Sequence, residues 1–99
     1  MAHEIEYELD LEQDLEEPKK YKVLLLNDDY STMEFVIEIL KTIFRKTQDE
    51  SVAITMNIHN NGKAVCGIYS HEIASTKVAQ VKHNAKKAKF PLKAILEEE

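Results

Sequence analysis

The sequence predicts an α+β fold: a small β-α-α-β-α-β sandwich in which three helices cover one face of a three-stranded antiparallel sheet. Three observations predict it. Short aliphatic runs at residues 21–26, 63–69 and 92–96 have the length and composition of strands. The segments between them place apolar residues three and four apart, the helical spacing. Each helical segment opens on a Ser or Thr in capping position. So few strands with so many helices pack as two layers.

Residues 1–18 form an acidic N-terminal extension, and residues 19–99 the folded core domain. The extension alternates Glu4, Ile5, Glu6, Tyr7, Glu8, Leu9, Asp10 and Leu11, which is strand-like in period. Residues 1–17 hold eight of the 18 acidic side chains and no Lys or Arg. With no pairing partner nearby, the extension is expected to be disordered in isolation. Pro18 and Lys19-Lys20 mark the start of the folded body.

The first strand, residues 21–26, carries Lys22 as its only charge. Ser31 and Glu34 have capping-box spacing and open the first helix. Val36, Ile39, Leu40 and Ile43 form its apolar stripe, widened by Phe35 and Phe44. Thr47 and Glu50 repeat the capping-box spacing before a second helix, residues 49–58, with Val52, Ala53, Ile54 and Met56 apolar. Asn60-Asn61-Gly62 suits a left-handed helix end. The second strand follows, where Gly67 marks a bulge or a close backbone approach. Ser70 caps a third helix over residues 71–88 with Ile73, Ala74, Val78, Val81, Ala85 and Ala88 as its core stripe. Pro91 ends it, residues 92–96 form the last strand, and residues 97–99 are a ragged acidic end.

Composition narrows the function. Ninety-nine residues, 43% of them apolar, suit one small globular domain. No run approaches the roughly 20 apolar residues of a membrane helix. The acidic start argues against a secretory or transit peptide. The single Cys66 excludes an internal disulfide and a Cys-rich metal site. Mid-strand, Cys66 reads as an inert thiol. A cytoplasmic monomer without cofactor is expected. A net charge of −5 with an acidic tail speaks against nucleic-acid binding.

The unusual stretch is Leu26-Asn27-Asp28-Asp29-Tyr30-Ser31. Three acceptor side chains follow directly on a core strand, and adjacent carboxylates repel. A primary ammonium has three donors that such acceptors could take. Spacing alone favours a plainer account, an Asx turn with solvated carboxylates. His59 at the end of the second helix also fits simple capping. Asp28, Asp29 and His59 could in principle hold a divalent metal, but no further ligand cluster accompanies them. No phosphate loop, C-x-x-C or nucleophile motif is present. A generic interaction module that docks an acidic partner on its Lys-rich helix face is the alternative.

Tyr21-Lys22-Val23-Leu24-Leu25-Leu26-Asn27-Asp28-Asp29-Tyr30-Ser31-Thr32-Met33-Glu34-Phe35-Val36 resembles the signature of the ClpS family. These are bacterial adaptors that deliver N-end-rule substrates to a ClpA- or ClpC-type AAA+ unfoldase of the Clp protease. The likeness continues through His59, Gly62-Lys63-Ala64-Val65-Cys66-Gly67 and Glu72-Ile73-Ala74-Ser75-Thr76-Lys77-Val78, and ends near Pro91-Leu92. The resemblance implies a non-enzymatic, metal-free site. Asn27, Asp28, Asp29 and His59 would hold a substrate's α-ammonium and first peptide bond. Ser31, Met33, Val36, Met56, Ile58 and Leu92 would line an apolar pocket for its N-terminal side chain, of the Leu, Phe, Tyr, Trp class. Glu72 and Lys77 would belong to the unfoldase-binding face, and the acidic extension would take part in delivery. The family commonly has Pro at Thr32 and often Val at Ile58, so the pocket is expected to be slightly tighter here.

Overall fold

The computed structural model describes residues 18–99. The expected disordered extension falls, apart from Pro18, outside the described residues. The element order is β1 (Lys20–Leu26), α1 (Met33–Thr42), α2 (Gln48–Asn61), β2 (Lys63–Ser70), α3 (His71–Ala88) and β3 (Lys93–Glu98). The strands lie in the order β2-β1-β3, antiparallel throughout. The predicted α+β architecture is therefore the observed one.

The first strand in sequence is the middle strand in space. Its pleat sends Val23 and Leu25 into the helix-covered core, while Leu24 lies opposite Val65 and Ile95 on the other side of the sheet. Val23 and Leu25 are fully buried. The core then closes with Val36, Ile39, Leu40, Ile43 and Phe44 from α1 and its end, and with Ala74, Val81 and Ala85 from α3. The expected α1 stripe is thus the buried one.

The bulge expected near Gly67 is present. Val23 faces Gly67 while Leu24 faces Val65, so Cys66 is the extra residue. A close approach accompanies it: a Cβ on Gly67 would lie 2.7 Å from Cε2 of the Tyr69 ring.

Four local expectations need correction. Thr32, not Ser31, caps α1: its Oγ1 accepts the Phe35 N–H at 3.1 Å. The Asp28 carboxylate takes the Ser31 N–H, so the reciprocal bond that a Ser31–Glu34 capping box needs is closed off. In α2 the expected apolar residues Val52 and Met56 are exposed, while Ser51, Thr55 and Ile58 are buried. Residues 51, 54, 55 and 58 share one helical face, and that face packs inward although half of it is hydroxyl-bearing. In α3, Ile73 and Ala88 are exposed rather than part of the core stripe. Finally, β3 begins at Lys93 and runs through Glu97 and Glu98. Backbone pairing of Tyr21 with Glu98, and the Glu99 N–H on the Lys20 carbonyl, hold this polar end in the sheet.

The capping box of α2 is complete: Glu50 N–H donates to Thr47 Oγ1 at 3.1 Å, and Thr47 N–H to Glu50 Oε1 at 2.9 Å. At the other end Gly62 takes φ 87°, and its N–H donates to the Ile58 carbonyl at 2.9 Å. Both ends of α2 are therefore fixed by local chemistry.

Two substitutions separate packing from polarity. Leu25→Ala removes a fully buried side chain from the middle strand and should lower the unfolding free energy by about 2–5 kcal/mol. Ser51→Ala removes a fully buried hydroxyl without a partner and should leave stability unchanged or raise it by up to about 1 kcal/mol. Urea unfolding of the two variants measures both, and a marked loss in Ser51→Ala would show that its hydroxyl is bonded after all.

Candidate functional site

The end of β1 and the end of α2 are tied by one backbone bond. Asn27 N–H donates to the Gly62 carbonyl at 2.8 Å. This bond brings the acceptor turn beside the last turn of α2, where His59 stands exposed. A cavity of about 280 Å³ opens between them. Asn27, Asp28, Asp29, Ser31 and His59 supply its polar wall. Met33, Val36, Thr55 and Ile58 supply the rest.

Asp28 divides its work between its two oxygens. Oδ1 accepts the Tyr30 N–H at 2.8 Å and the Ser31 N–H at 2.6 Å, which makes the Asx turn. Oδ2 is shut off from water and accepts no bond of hydrogen-bonding geometry, while the nearby Ser31 side chain helps to hold the carboxyl ionised. Partial burial works to raise the Asp28 pKa, but the donors of Ser31 and Tyr30 outweigh it and hold the carboxyl below its ordinary value. The group is thus an anion with one oxygen uncommitted. The turn account and the cation-site account are compatible, one on each oxygen.

Three of the four buried, unpartnered polar side-chain atoms among the described residues belong to residues lining this cavity: Asp28 Oδ2, Ser31 Oγ and Thr55 Oγ1. Buried polar atoms without partners are uncommon and costly. Their concentration here makes the cavity the candidate site for a polar ligand. A larger groove of about 580 Å³ runs between the end of α1 and α3, past Arg45, Lys77, Gln80 and His83. It collects none of these orphaned atoms, so size alone does not make it the candidate.

Eight of the ten expected site residues line the cavity. Met33 is 44% exposed at its mouth, whereas Val36 is 6% exposed at its floor. The structure does not bring in Met56 or Leu92. Met56 sits on the outer face of α2. Leu92 is buried in the core and borders a different cavity with Val78, Lys82 and Ala94. Thr55 takes the place that the sequence assigned to Met56. Its signal was available: Ser51, Thr55 and His59 are polar residues four apart on one line of α2.

Glu72 is exposed in the first turn of α3. Lys77 is half-buried. Its ammonium donates to the Ile43 carbonyl at 2.6 Å and lies 5.7 Å from the centre of the Tyr69 ring. It therefore ties α3 to the end of α1. Burial pushes the Cys66 thiol up to about 12, so it stays protonated. Among the described residues no three His, Cys, Asp or Glu side chains are placed to share a metal ion, and no helix is long and apolar enough to cross a membrane.

Fold and site together define a small α+β binding domain whose cleft offers charge acceptors at its rim and carbon below. Residues 16–95 match the family model of the ATP-dependent Clp protease adaptor protein ClpS. The chain is 56% identical over 82 residues to the ATP-dependent Clp protease adapter protein ClpS of Wolinella succinogenes, covering 83% of this chain and 80% of that one. It is 53% identical over 98 residues to the ClpS of Helicobacter hepaticus, covering 99% and 98%. Among solved structures, ClpS2 of Agrobacterium tumefaciens bound to L-phenylalaninamide superimposes with a TM-score of 0.81 at 42% identity, covering 84% of this chain and all of that one. The chain belongs to the ClpS family of Clp protease adaptor proteins.

The Asp28 assignment has a pH consequence. Its carboxyl titrates near 3.8 when unfolded and lower in the fold, so between those values the native state holds fewer protons. The stabilisation is present above 3.8 and is lost as pH falls through the lower, folded value. Asp28→Asn should therefore flatten the acid side of the stability profile below about pH 4. Chemical unfolding across that range reads it; superimposable profiles would contradict the Asx-turn bonds.

Proposed function

We propose that this chain binds the N-terminal residue of substrate proteins and hands them to a ClpA- or ClpC-type AAA+ unfoldase of the Clp protease. It works in the cytoplasm and catalyses no reaction. The observation that carries this is Asp28 Oδ2: a buried anionic acceptor without a partner, in a cavity that also has Met33, Val36 and Ile58 in its wall. Asn27, Asp29 and His59 stand around it. A relative 42% identical holds L-phenylalaninamide, which combines an α-ammonium, a carboxamide and an apolar side chain. Those are the three features that an N-terminal residue presents.

The ammonium enters the acceptor turn, and Asn27, Asp28, Asp29 and His59 bind it and the first peptide bond. The side chain, of the Leu, Phe, Tyr, Trp class, passes Met33 and packs on Val36 and Ile58. Hydrogen bonds to a charged group contribute about 1.5–3 kcal/mol each. Burying a Leu or Phe side chain contributes about 1.5–3 kcal/mol. Lost freedom of chain and peptide offsets part of this. The balance is a micromolar affinity, about −8 kcal/mol, which permits release to the next machine. The unfoldase-binding face includes Glu72 and Lys77, with Lys77 acting through the geometry it imposes between α3 and α1. The acidic residues 1–17 take part in delivery.

Acetylating the N-terminus of a Leu-initiated peptide removes the charge and adds bulk, so binding should collapse by at least about a hundredfold. Calorimetry with the free and acetylated pair decides this, and equal affinities would exclude an ammonium site. Met33→Ala opens the mouth of the cavity and should admit β-branched Ile or Val at residue one. Fluorescence titration with Ile-initiated peptides is the measurement; no gain would mean that Met33 is not the gate.

A further inference from the structure

The Thr55 hydroxyl stands apart from the other orphaned atoms. Asp28 Oδ2 and Ser31 Oγ belong to the acceptor turn, and Ser51 does not line the cavity. Thr55 lines it and is 4% exposed. It precedes His59 by four residues, an advance of about 6 Å along α2. Along that turn the helix passes from the exposed rim to the buried interior. The cavity's other buried contributions, Val36 and Ile58, offer only carbon. Of the three orphaned atoms on residues lining the cavity, the Thr55 hydroxyl is thus the one carried by α2, in the buried part that Val36 and Ile58 otherwise line with carbon.

We propose that Thr55 Oγ1 is a specificity determinant, and that the side chain it selects carries a hydrogen-bonding group at its far end. Among the expected N-terminal residues this favours the phenol of Tyr over the phenyl of Phe and the isobutyl of Leu. The inference rests on the N-terminal-residue function proposed above. With the ammonium at the level of Asn27 and His59, the advance of about 6 Å to Thr55 matches the reach of a para-hydroxyl better than that of an isobutyl group. A phenol both donates and accepts, so it pairs with a hydroxyl in either sense. A site that bonds a substrate hydroxyl rejects the analogue lacking it, because the site's own polar atom is then left unpaired.

Calorimetry with two peptides that differ only in Tyr or Phe at residue one tests this on the full chain and on Thr55→Val, which keeps the shape and deletes the oxygen. The Tyr peptide should bind roughly three- to tenfold tighter to the natural chain, and the ratio should fall below about twofold in Thr55→Val. The Phe affinity should hold or improve in that variant. Thr55→Ser keeps the oxygen and should keep the preference. Equal binding of the two peptides to the natural chain, a ratio unchanged by Thr55→Val, or a preference lost in Thr55→Ser would each overturn the inference. If the natural chain binds neither peptide, the N-terminal-residue function itself fails, and this inference with it.

Discussion

The site depends on where the middle strand stops. β1 is bonded along both edges, so β2 and β3 together fix its position. At its end the Asn27 N–H reaches the carbonyl of Gly62. Gly62 is also the left-handed terminus of α2, with φ 87° and its own N–H on Ile58. Glycine adopts that conformation without steric cost. One residue therefore joins the strand that delivers the acceptor turn to the helix that delivers His59. The cavity lies between two elements whose separation is set by backbone hydrogen bonds rather than by flexible side chains.

Around that fixed point, the fold uses charged groups in two different ways. Asp28 splits a single carboxylate, with Oδ1 closing the turn and Oδ2 left over. The bonds to Oδ1 keep the group ionised despite its partial burial. Asp29 beside it adds a second negative charge, and a bound cation would relieve the repulsion between the two. Lys77 is the contrast. Its ammonium is engaged by a backbone carbonyl and approaches an aromatic face, so it serves the packing of α3. Residue type alone does not separate these roles; what matters is which polar atoms remain unbonded after the chain has folded.

The elements were legible where local chemistry and tertiary burial agree. The β1 run, the α1 stripe, the α2 capping box and the Gly62 terminus all appear as read. Even the Gly67 bulge was visible, because a glycine inside a strand needs a reason. The inward face of α2 was not legible. Apolar count favoured Val52, Ala53 and Met56, yet Ser51, Ile54, Thr55 and Ile58 form the buried side. Both ends of α2 are anchored, by the capping box at Thr47 and by the Gly62 carbonyl, so its rotation was not free to follow a weak apolar stripe. Small side chains at positions 51 and 55 also suit close packing of the helix against its neighbours.

The sequence by itself determined the succession of strands and helices, the caps that bound most of them, and the crowding of acceptors at Asn27, Asp28 and Asp29. These follow from neighbours along the chain, whose geometry is set by helical and strand periods. Only the tertiary structure decided which Asp28 oxygen is free, that Thr55 rather than Met56 faces the cavity, and that Leu92 belongs to the core beside another cavity. Those outcomes concern groups far apart in sequence. They depend on how α1, α2 and the sheet settle against one another under close packing, which no spacing within a single element encodes.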